Sequence, residues 1–371
     1  MEQYSQFTRS KQAKIDTFDP SGVSNSGEGI FGLPFSTDEA EVILIPVPWE
    51  VTVSYNAGTA AGPEAIRQAS YQLDLFDHAI ENAWQLGIAL EEVPQDWSQR
   101  SHELRQKTKS YISWLEGGGE ALPADVTAEL IDTVQAQSLA LQQYIKTKAL
   151  AYLKAGKLVG LIGGDHSTPL GLMQALAEQH EEYGILQIDA HADLREAYEG
   201  FEFSHASIMF NALKIKQVKK LVQVGIRDIA ESEAELISLS NGRITTFYDA
   251  TLKEALYEGA TWKKQCKKII PQLPQKVYIS FDIDGLDPKL CPGTGTPVVG
   301  GLEFEEALYL IKALVKSGRE IIGFDLCEVA PGQDDWNGNV GARLLYKLCN
   351  WMAVSQNKLK AVGYKTGEKQ P

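Results

Sequence analysis

Three apolar runs in this sequence end in aspartate and histidine side chains, and this arrangement constrains the fold more than any other feature. The run Ile185–Ile188 leads directly into Asp189, His191 and Asp193, spaced two residues apart. Side chains alternate between the faces of a strand, so these three residues project the same way if the strand continues. Two carboxylates and an imidazole on one edge form a ligand set for a hard or borderline divalent metal. A single such residue more often caps a loop, but three in this spacing favour a metal site.

Two other apolar runs end in the same kinds of side chain. Leu158–Ile162 leads into a glycine-rich turn that holds His166, and Val277–Phe281 leads into Asp282 and Asp284. In open parallel α/β sheets, binding sites form just beyond the carboxyl ends of the strands. The three runs therefore predict one cluster of ligands at that edge of a sheet.

The rest of the chain alternates between strand and helix patterns, which predicts an α/β fold with a mostly parallel sheet covered on both faces. The predicted strands span residues 42–47, 158–162, 184–188, 221–226, 243–247, 277–281 and 320–326. The predicted helices span residues 98–114, 125–155, 207–214, 252–271, 303–317 and 340–354, with another from about residue 168.

The polar first 40 residues, rich in glycine and serine near residues 20–29, predict an irregular N-terminal arm. Residues 41–371 contain no low-complexity linker and are interpreted as a single domain. Within it, Glu116–Pro123 contains three consecutive glycines, which predicts a mobile loop.

Charge and cysteine usage exclude several classes of protein. The 371 residues carry a net charge of -14, which disfavours nucleic acid and anionic membranes as partners because both attract positive surfaces. No apolar run is long enough to span a bilayer, and the polar N-terminus lacks the apolar segment of a secretory signal. The four cysteines form no C-x-x-C pair, which favours reduced thiols in a cytoplasmic protein.

Four motifs together resemble the ureohydrolase family, which includes arginases, agmatinases, formimidoylglutamases, guanidinobutyrases and guanidine hydrolases. The motifs are Gly163–Ser167, Asp189–Asp193, Ser204-His205 and Asp282–Pro288, with further similarity at Gly293–Pro297 and Gly300–Leu302. The resemblance runs from about Val42 to Trp351. It implies a three-layer α/β/α fold around a parallel sheet of about eight strands, in a homotrimer or homohexamer. Residues 41–371 would then form one ureohydrolase catalytic domain.

The resemblance also implies a centre of two Mn²⁺ per subunit, or of Ni²⁺ as in the guanidine hydrolases. Asp189 and Asp282 would bridge the metals or hold them on adjacent faces. The other implied ligands are His166 for the first metal, His191 for the second, and Asp193 and Asp284, with Asp193 also counted as catalytic. Four carboxylates and two imidazoles suit manganese, and two-metal sites lower the pKa of a bound water toward 7.

Three further residues receive roles from the same resemblance or from their positions. His205 matches a mobile histidine proposed to pass a proton to the leaving amine, and the alternative is a surface-loop histidine. Glu328, at the end of the apolar run Ile321–Leu326, matches a glutamate that pairs with the guanidinium, and the alternative is a buried structural glutamate. Asp165 is interpreted as orienting His166 rather than as a ligand.

The loop Leu194–Ser204 decides the expected substrate. It departs from the arginase pattern and resembles the agmatinase-like branch, so the predicted reaction converts agmatine, a small cationic guanidino substrate, to putrescine and urea. Trp336 raises an alternative: if it closes the pocket, the substrate would be guanidine, hydrolysed to urea and ammonia. Arginase or other guanidino-acid hydrolase activity ranks third. Within the loop, Arg195 would oppose a cationic tail, whereas Glu196, Glu199 or Glu202 would attract one, and the sequence does not rank these alternatives.

Two other classes of protein remain as alternatives. Single-zinc deacetylases of acetyl-polyamines or acetyl-lysine use a similar Asp-x-His motif but generally lack the equivalent of His166 and a second full ligand set. A non-catalytic binding protein could retain the fold, although such proteins usually lose ligands. The number of bound metal ions separates these classes, since a deacetylase binds one zinc.

Overall fold

One parallel sheet of eight strands lies between two layers of helices in the computed structural model, which describes residues 2–118 and 124–363. The strands are β1 Val42–Val47, β2 Ile88–Leu90, β3 Leu158–Gly163, β4 Tyr183–Ile188, β5 Val218–Ile226, β6 Ile244–Tyr248, β7 Lys276–Asp282 and β8 Glu320–Cys327. Their order is β2-β1-β3-β8-β7-β4-β5-β6, and every neighbouring pair is parallel. The predicted fold class is confirmed. The sequence did not reveal β2, which has only three residues.

The helices cover both faces of the sheet. They are α1 Glu2–Thr17, α2 Gly62–Ser70, α3 Gln95–Glu116, α4 Ala124–Lys154, α5 Leu170–Ala177, α6 Ile208–Ala212, α7 Glu231–Leu239, α8 Asp249–Tyr257, α9 Trp262–Ile269, α10 Phe304–Lys316 and α11 Trp336–Ser355. Val159 of β3 packs in one cluster with residues of α3 to α6, and its neighbour Leu158 packs in another with residues of α2 and α9 to α11. Adjacent side chains of a strand thus pack into two separate cores, because successive side chains point to opposite faces of the sheet.

Two expected elements differ from the structure. The predicted helix 252–271 is two helices, because Gly259 adopts a φ of 90° after α8, and the Thr261 hydroxyl caps α9 by accepting the N–H of Lys264. Helix α7 was not predicted, since Glu231–Leu239 shows only a weak apolar pattern.

The N-terminal region is more ordered than the predicted irregular arm. Helix α1 occupies Glu2–Thr17, where polar composition hid the helix. Lys14 of this helix donates to Glu39 (2.6 Å) and to the Pro34 carbonyl (2.7 Å). The side chains of Ile30 and Phe31 are buried in the core cluster that also contains β1 residues. Lys14 therefore ties α1 to the segment before β1, and Ile30 and Phe31 join the N-terminal region to the sheet domain.

Two other sequence predictions concern chain segments and cysteines. Of the predicted mobile loop Glu116–Pro123, residues 119–123 lie outside the described residues, and Glu116 is the last residue of α3. All four cysteines are buried and unpaired, in agreement with the reduced state expected from the sequence. Among the described helices, none combines the length and apolar character that a bilayer crossing needs.

Candidate metal centre and cavity

The carboxyl ends of the four adjacent strands β3, β8, β7 and β4 build the site. The chain leaves β3 and β4 toward helices on one face of the sheet, and leaves β7 and β8 toward helices on the other. Loops that diverge in this way open a crevice at the sheet edge. The turn after β3 needs Gly164, because a Cβ there would collide with the backbone of Trp49.

The first cluster of ligand-type side chains surrounds His166. Its Nδ1 atom lies 3.1 Å from Asp189 Oδ2, 2.9 Å from Asp193 Oδ2 and 3.3 Å from Asp282 Oδ2. All four side chains are buried. Burial, and then the charge of Asp189, raises the pKa of Asp193 to about 7. The pKa of Asp282 is raised well above its usual range by burial and by Asp284 and Asp189. The carboxylates therefore repel one another when they are ionised, and a cation bound among them would relieve that repulsion.

A second cluster shares Asp189 with the first. The Nδ1 atom of His191 lies 3.6 Å from Asp189 Oδ1 and 3.1 Å from Asp284 Oδ2. Each oxygen of Asp189 thus faces a different histidine. The ligand atoms of His166, Asp189 and Asp193 lie close enough together to hold one ion, and so do those of Asp189, His191 and Asp284. The sequence-predicted set of six residues is brought together at one point, within two clusters joined by Asp189.

The donor atoms fit a pair of divalent cations. His166 Nδ1 and Asp284 Oδ2 are buried and face other ligand-type atoms of their clusters, but neither makes a hydrogen bond. Buried polar atoms without partners are rare and call for an unseen ligand or ion. A set of carboxylate and imidazole donors suits Mn²⁺, and the imidazoles in the set also suit Ni²⁺.

The prediction that Asp165 orients His166 is wrong. The Oδ1 atom of Asp165 instead accepts from the backbone N–H and the hydroxyl of Ser167, so the carboxylate caps its own turn. The Nε2 atom of His166 faces Ser280 Oγ at 2.9 Å, and Ser280 in turn donates to Asp325 Oδ2 at 2.8 Å. Ser280 lies within the predicted strand 277–281, where its small side chain gave no functional signal.

Glu328 lies just beyond β8 in a left-handed backbone conformation, with a φ of 65°. That conformation costs a residue with a Cβ about 1–2 kcal/mol, so its presence beside the clusters is a sign of function. Its Oε1 atom accepts the backbone N–H of His166 at 2.8 Å, whereas Oε2 is buried without a partner. A Cβ placed on Gly295 would lie 2.6 Å from that free oxygen. The free oxygen therefore faces a space that only glycine leaves open.

His205 begins a short helical turn whose N-terminus is capped by Ser204. Its ring meets the ring of Tyr198 edge-on at 6.0 Å, and its Nδ1 atom is buried without a partner. Burial, followed by the charges of His191 and His166, lowers the pKa of His205 to about 3. The imidazole is therefore neutral near pH 7 in the absence of a ligand.

A cavity of about 280 Å³ reaches both clusters, at Asp193 of the first and His191 of the second. Its lining residues include His191, Asp193 and His205, which joins the predicted proton-transfer residue to the predicted ligands. The other lining residues are Ser54, Tyr55, Arg195, Tyr198, Ala206, Asp228, Ile229, Glu233, Thr296, Pro297 and Val298. Glu328 is not among the lining residues, but its Oε2 atom lies close to Gly295, the residue before Thr296.

Several expectations about the cavity wall are corrected by these lining residues. Trp336 is 48% exposed at the start of α11 and does not line the cavity, so it neither closes the pocket nor anchors the core. Arg195 lines the cavity, whereas the three acidic residues of the loop do not: Glu196, Glu199 and Glu202.

The sequence did not indicate a role for three residues of the cavity wall: Asp228, Tyr198 and Glu233. Asp228 follows the end of β5, so the strand-end rule that found the other aspartates applies to it as well. Glu233 is 4% exposed, and its carboxylate already accepts the backbone N–H groups of Leu194 (2.8 Å) and Ala230 (2.9 Å). Asp228 is exposed and is therefore the acidic side chain on this wall that remains open to a ligand.

Comparison with known proteins identifies the class that this fold and site define. The family model described as the arginase family matches residues 40–350, and the chain belongs to that family. The chain is 31% identical to the N(1)-aminopropylagmatine ureohydrolase of Thermus thermophilus, over 83% of this chain and 89% of that protein. It is 29% identical to an agmatinase of Bacillus anthracis, over 81% of this chain and 87% of that protein.

Solved structures show the same fold. The agmatine ureohydrolase of Thermoplasma volcanium superimposes with a TM-score of 0.65 at 20% identity, covering 94% of this chain and 99% of that one. The resemblance to the agmatinase-like branch of the ureohydrolases is confirmed, as is the prediction that the chain is a hydrolase of this family.

Proposed function

We propose that the protein hydrolyses a guanidino carbon–nitrogen bond and releases urea, converting agmatine to putrescine and urea. The observation that carries this proposal is the pair of ligand clusters that share Asp189 beneath a cavity. The similarity to agmatinases and aminopropylagmatine ureohydrolases supports a guanidino substrate with an amine tail.

The six clustered residues would hold two Mn²⁺ per subunit, with Ni²⁺ as the alternative. His166 and Asp193 would bind the first ion, His191 and Asp284 the second, and Asp189 and Asp282 would lie between them. The ions would supply a water whose pKa is lowered toward 7, a nucleophile that guanidino hydrolysis lacks in neutral water. The trimeric or hexameric assembly and the cytoplasmic location stay predictions, and light scattering would measure the assembly.

The chain's own residues would bind the substrate and move the proton. The free Oε2 of Glu328 would accept an N–H of the planar guanidinium, a charge-assisted hydrogen bond that fixes the carbon under attack. His205, neutral and on the cavity wall, would accept a proton released by the attacking water and pass it to the leaving amine.

Guanidine hydrolysis is the second candidate, and Arg195 is the observation that favours it. The Arg195 side chain lines the cavity and stacks over the Tyr198 ring at 4.8 Å, and its charge would oppose a cationic tail. Guanidine has no tail and would avoid this repulsion.

Urea release by the purified protein, loaded separately with Mn²⁺ and Ni²⁺, tests these candidates. The substrates are agmatine, arginine, 4-guanidinobutyrate, formimidoylglutamate and guanidine. We expect turnover of agmatine. Turnover of guanidine alone would replace the first candidate with the second. Absence of urea from every substrate, with two metal ions bound, would contradict the proposal.

The substitution Asp228→Asn is expected to raise KM for agmatine about tenfold, because one charge-assisted hydrogen bond to the tail ammonium contributes about 1.5 kcal/mol. Activity on guanidine, which lacks the tail, is expected to stay unchanged. Steady-state kinetics on both substrates would measure this difference. Glu196→Gln removes an exposed loop charge that does not line the cavity and serves as the matched control. An equal rise of KM for both substrates would exclude Asp228 as the tail contact.

The substitution His205→Asn is expected to lower kcat about 100-fold, the usual effect of losing a side chain that transfers a proton during the reaction. KM and metal content are expected to stay near their original values, because His205 belongs to neither ligand cluster. His180→Asn is the control, since His180 lies near Lys276 at the opposite edge of the sheet. An unchanged kcat would remove the proposed proton-transfer role.

A further inference from the structure

Five polar side chains stand side by side across one face of the sheet. Strand register pairs Thr246 with Gln223, Gln223 with Gln187, Gln187 with Ser280, and Ser280 with Asp325. We call these five residues the polar row. Four of them are fully buried, and only Thr246, on the outermost of the five strands, is partly exposed.

The position of the polar row relates it to the candidate metal centre. Gln187 and Ser280 lie two residues before Asp189 and Asp282, and therefore on the same face of their strands. Two residues further back, the same face carries apolar side chains: Ile185, Leu221, Ile244 and Tyr278. The face thus changes along the strands from apolar, to polar, to ligand residues.

One arm of the polar row ends on the aspartate that the two clusters share. Thr246 Oγ1 donates to Gln223 Oε1 (2.7 Å), and Gln223 Nε2 donates to Gln187 Oε1 (2.6 Å). Gln187 Nε2 then donates to Asp189 Oδ2 at 2.8 Å. Because the other oxygen of Asp189 accepts the His191 backbone N–H at 2.6 Å, both carboxylate oxygens are held in place.

The other arm ends on His166. Ser280 gives its hydroxyl proton to Asp325 Oδ2, so its oxygen is left to accept a proton from His166 Nε2. With the ring proton on Nε2, Nδ1 has a free lone pair. Nδ1 is the atom that faces the three carboxylates of the first cluster. The arm therefore selects the tautomer in which His166 can bind a cation.

Buried polar groups in the middle of a parallel sheet are unusual, because both faces of such a sheet are normally apolar. Burying two glutamine side chains costs free energy unless their hydrogen bonds are made. Here the bonds are made, and they lead to two members of the candidate metal centre. A merely structural row would not need contacts to two ligand residues, Asp189 and His166.

We propose that the polar row is a positioning layer for the metal centre, in which the glutamine arm orients the shared carboxylate and the serine arm sets the tautomer of His166. This inference rests on the proposed binding of metal by Asp189 and His166. Since Asp189 would serve both ions and His166 only one, the two arms differ in what they control.

The difference between the arms gives a site-selective test. Gln187→Met removes the donor with little change in volume and is expected to weaken the binding of both ions by about 10- to 100-fold, the usual effect of losing a partner that orients a ligand. Ser280→Ala is expected to weaken one ion only. Competition with a chromogenic chelator measures both dissociation constants. Leu186→Met, on the opposite face of β4, is the control and should change neither.

Coupling between the glutamines gives a second test. Gln223 contacts Asp189 through Gln187 and also donates to the Ala192 carbonyl, between His191 and Asp193, at 2.8 Å. Neither bond goes directly to a ligand side chain, so Gln223→Met should weaken both ions less than Gln187→Met does. The double variant should lose less metal affinity than the two single variants lose together, because the contact between Gln223 and Gln187 is broken in each of them.

The thermal midpoint of the metal-free protein separates positioning from structure. Metal affinities within twofold of the original in both Gln187→Met and Ser280→Ala, with a lowered metal-free midpoint, would show a purely structural row and overturn the inference. If the original chain and all variants bind two ions equally tightly, this inference is overturned but the proposed function is not. An original chain that binds no divalent ion would overturn the proposed function as well.

Discussion

The substitution Asp282→Asn is expected to lower activity about 1,000-fold or more while leaving the metal-free protein at least as stable as before. Asp282 Oδ2 lies 3.3 Å from His166 Nδ1, inside the first cluster. Its loss would remove a ligand of the ions. The ions stabilise the transition state by several kcal/mol, and losing about 4 kcal/mol of this stabilisation lowers the rate about 1,000-fold. The Asn Oδ1 can still accept the Asp284 backbone N–H, now bonded to Asp282 Oδ1 at 2.9 Å.

The opposite effect on metal-free stability follows from the charges around Asp282. Burial and the nearby carboxylates of Asp284 and Asp189 disfavour its ionised form, which is why its pKa is raised. A neutral amide removes that repulsion. Adding metal should then raise the thermal midpoint of the original protein much more than that of the variant, since a ligand stabilises only the state that binds it.

Thermal unfolding with EDTA, and again with Mn²⁺ or Ni²⁺, would measure both effects, alongside metal content and urea release. Asp287→Asn is the matched control, because Asp287 is in the same motif but caps the turn that contains Lys289. A variant that keeps two tightly bound ions and full activity would exclude Asp282 from the metal centre.

The sequence predicted most of the fold because its central strands are continuous apolar runs. Runs such as Leu158–Ile162 are buried on both faces, so they cannot be confused with amphipathic helices. The missed and misjudged elements lack that signal. Strand β2 pairs only with β1 at the sheet edge, and α1 is polar, so its packing through Lys14 could be seen only in three dimensions.

The candidate ligands were predictable because each lies beside the end of an apolar strand within a motif. Asp193 lies four residues beyond Asp189, yet the chain brings it back to His166 through a left-handed φ of 54°. Features that depend on strand order were not predictable. Gln187 and Ser280 are separated by 93 positions in the printed sequence and become neighbours only because β7 pairs with β4.

The wall of the cavity was the least predictable part of the site. Trp336 was a plausible lid because it follows Glu328 closely in sequence, but it begins α11 and is directed to solvent. Sequence proximity to a site residue does not decide which loops meet over it. The expectation that the acidic loop residues attract the substrate was wrong for the same reason. Glu202, for example, accepts a hydrogen bond from Gln135 of α4, away from the cavity.

The substitution Glu328→Gln is expected to lower kcat/KM by about 30- to 4,000-fold, corresponding to the roughly 2–5 kcal/mol lost when one partner of a buried charged hydrogen-bonded pair is removed. The Gln Oε1 can still accept the His166 backbone N–H, so the turn and both clusters should remain intact. Metal content should therefore be unchanged. Burial disfavours the charge of Glu328 in the absence of substrate, as its raised pKa indicates, so the variant should be at least as stable as the original.

Gly295→Ala tests the same contact without touching the charge. Its Cβ would lie 2.6 Å from Glu328 Oε2 and would occupy the space in which the guanidinium is proposed to bind. Both variants should lower kcat/KM for agmatine and for guanidine alike, because both substrates present the same guanidinium. Glu320→Gln, at the other end of β8, is the control. Unchanged kcat/KM in Glu328→Gln, with metals bound, would mean that the strained backbone at Glu328 serves the turn rather than the substrate.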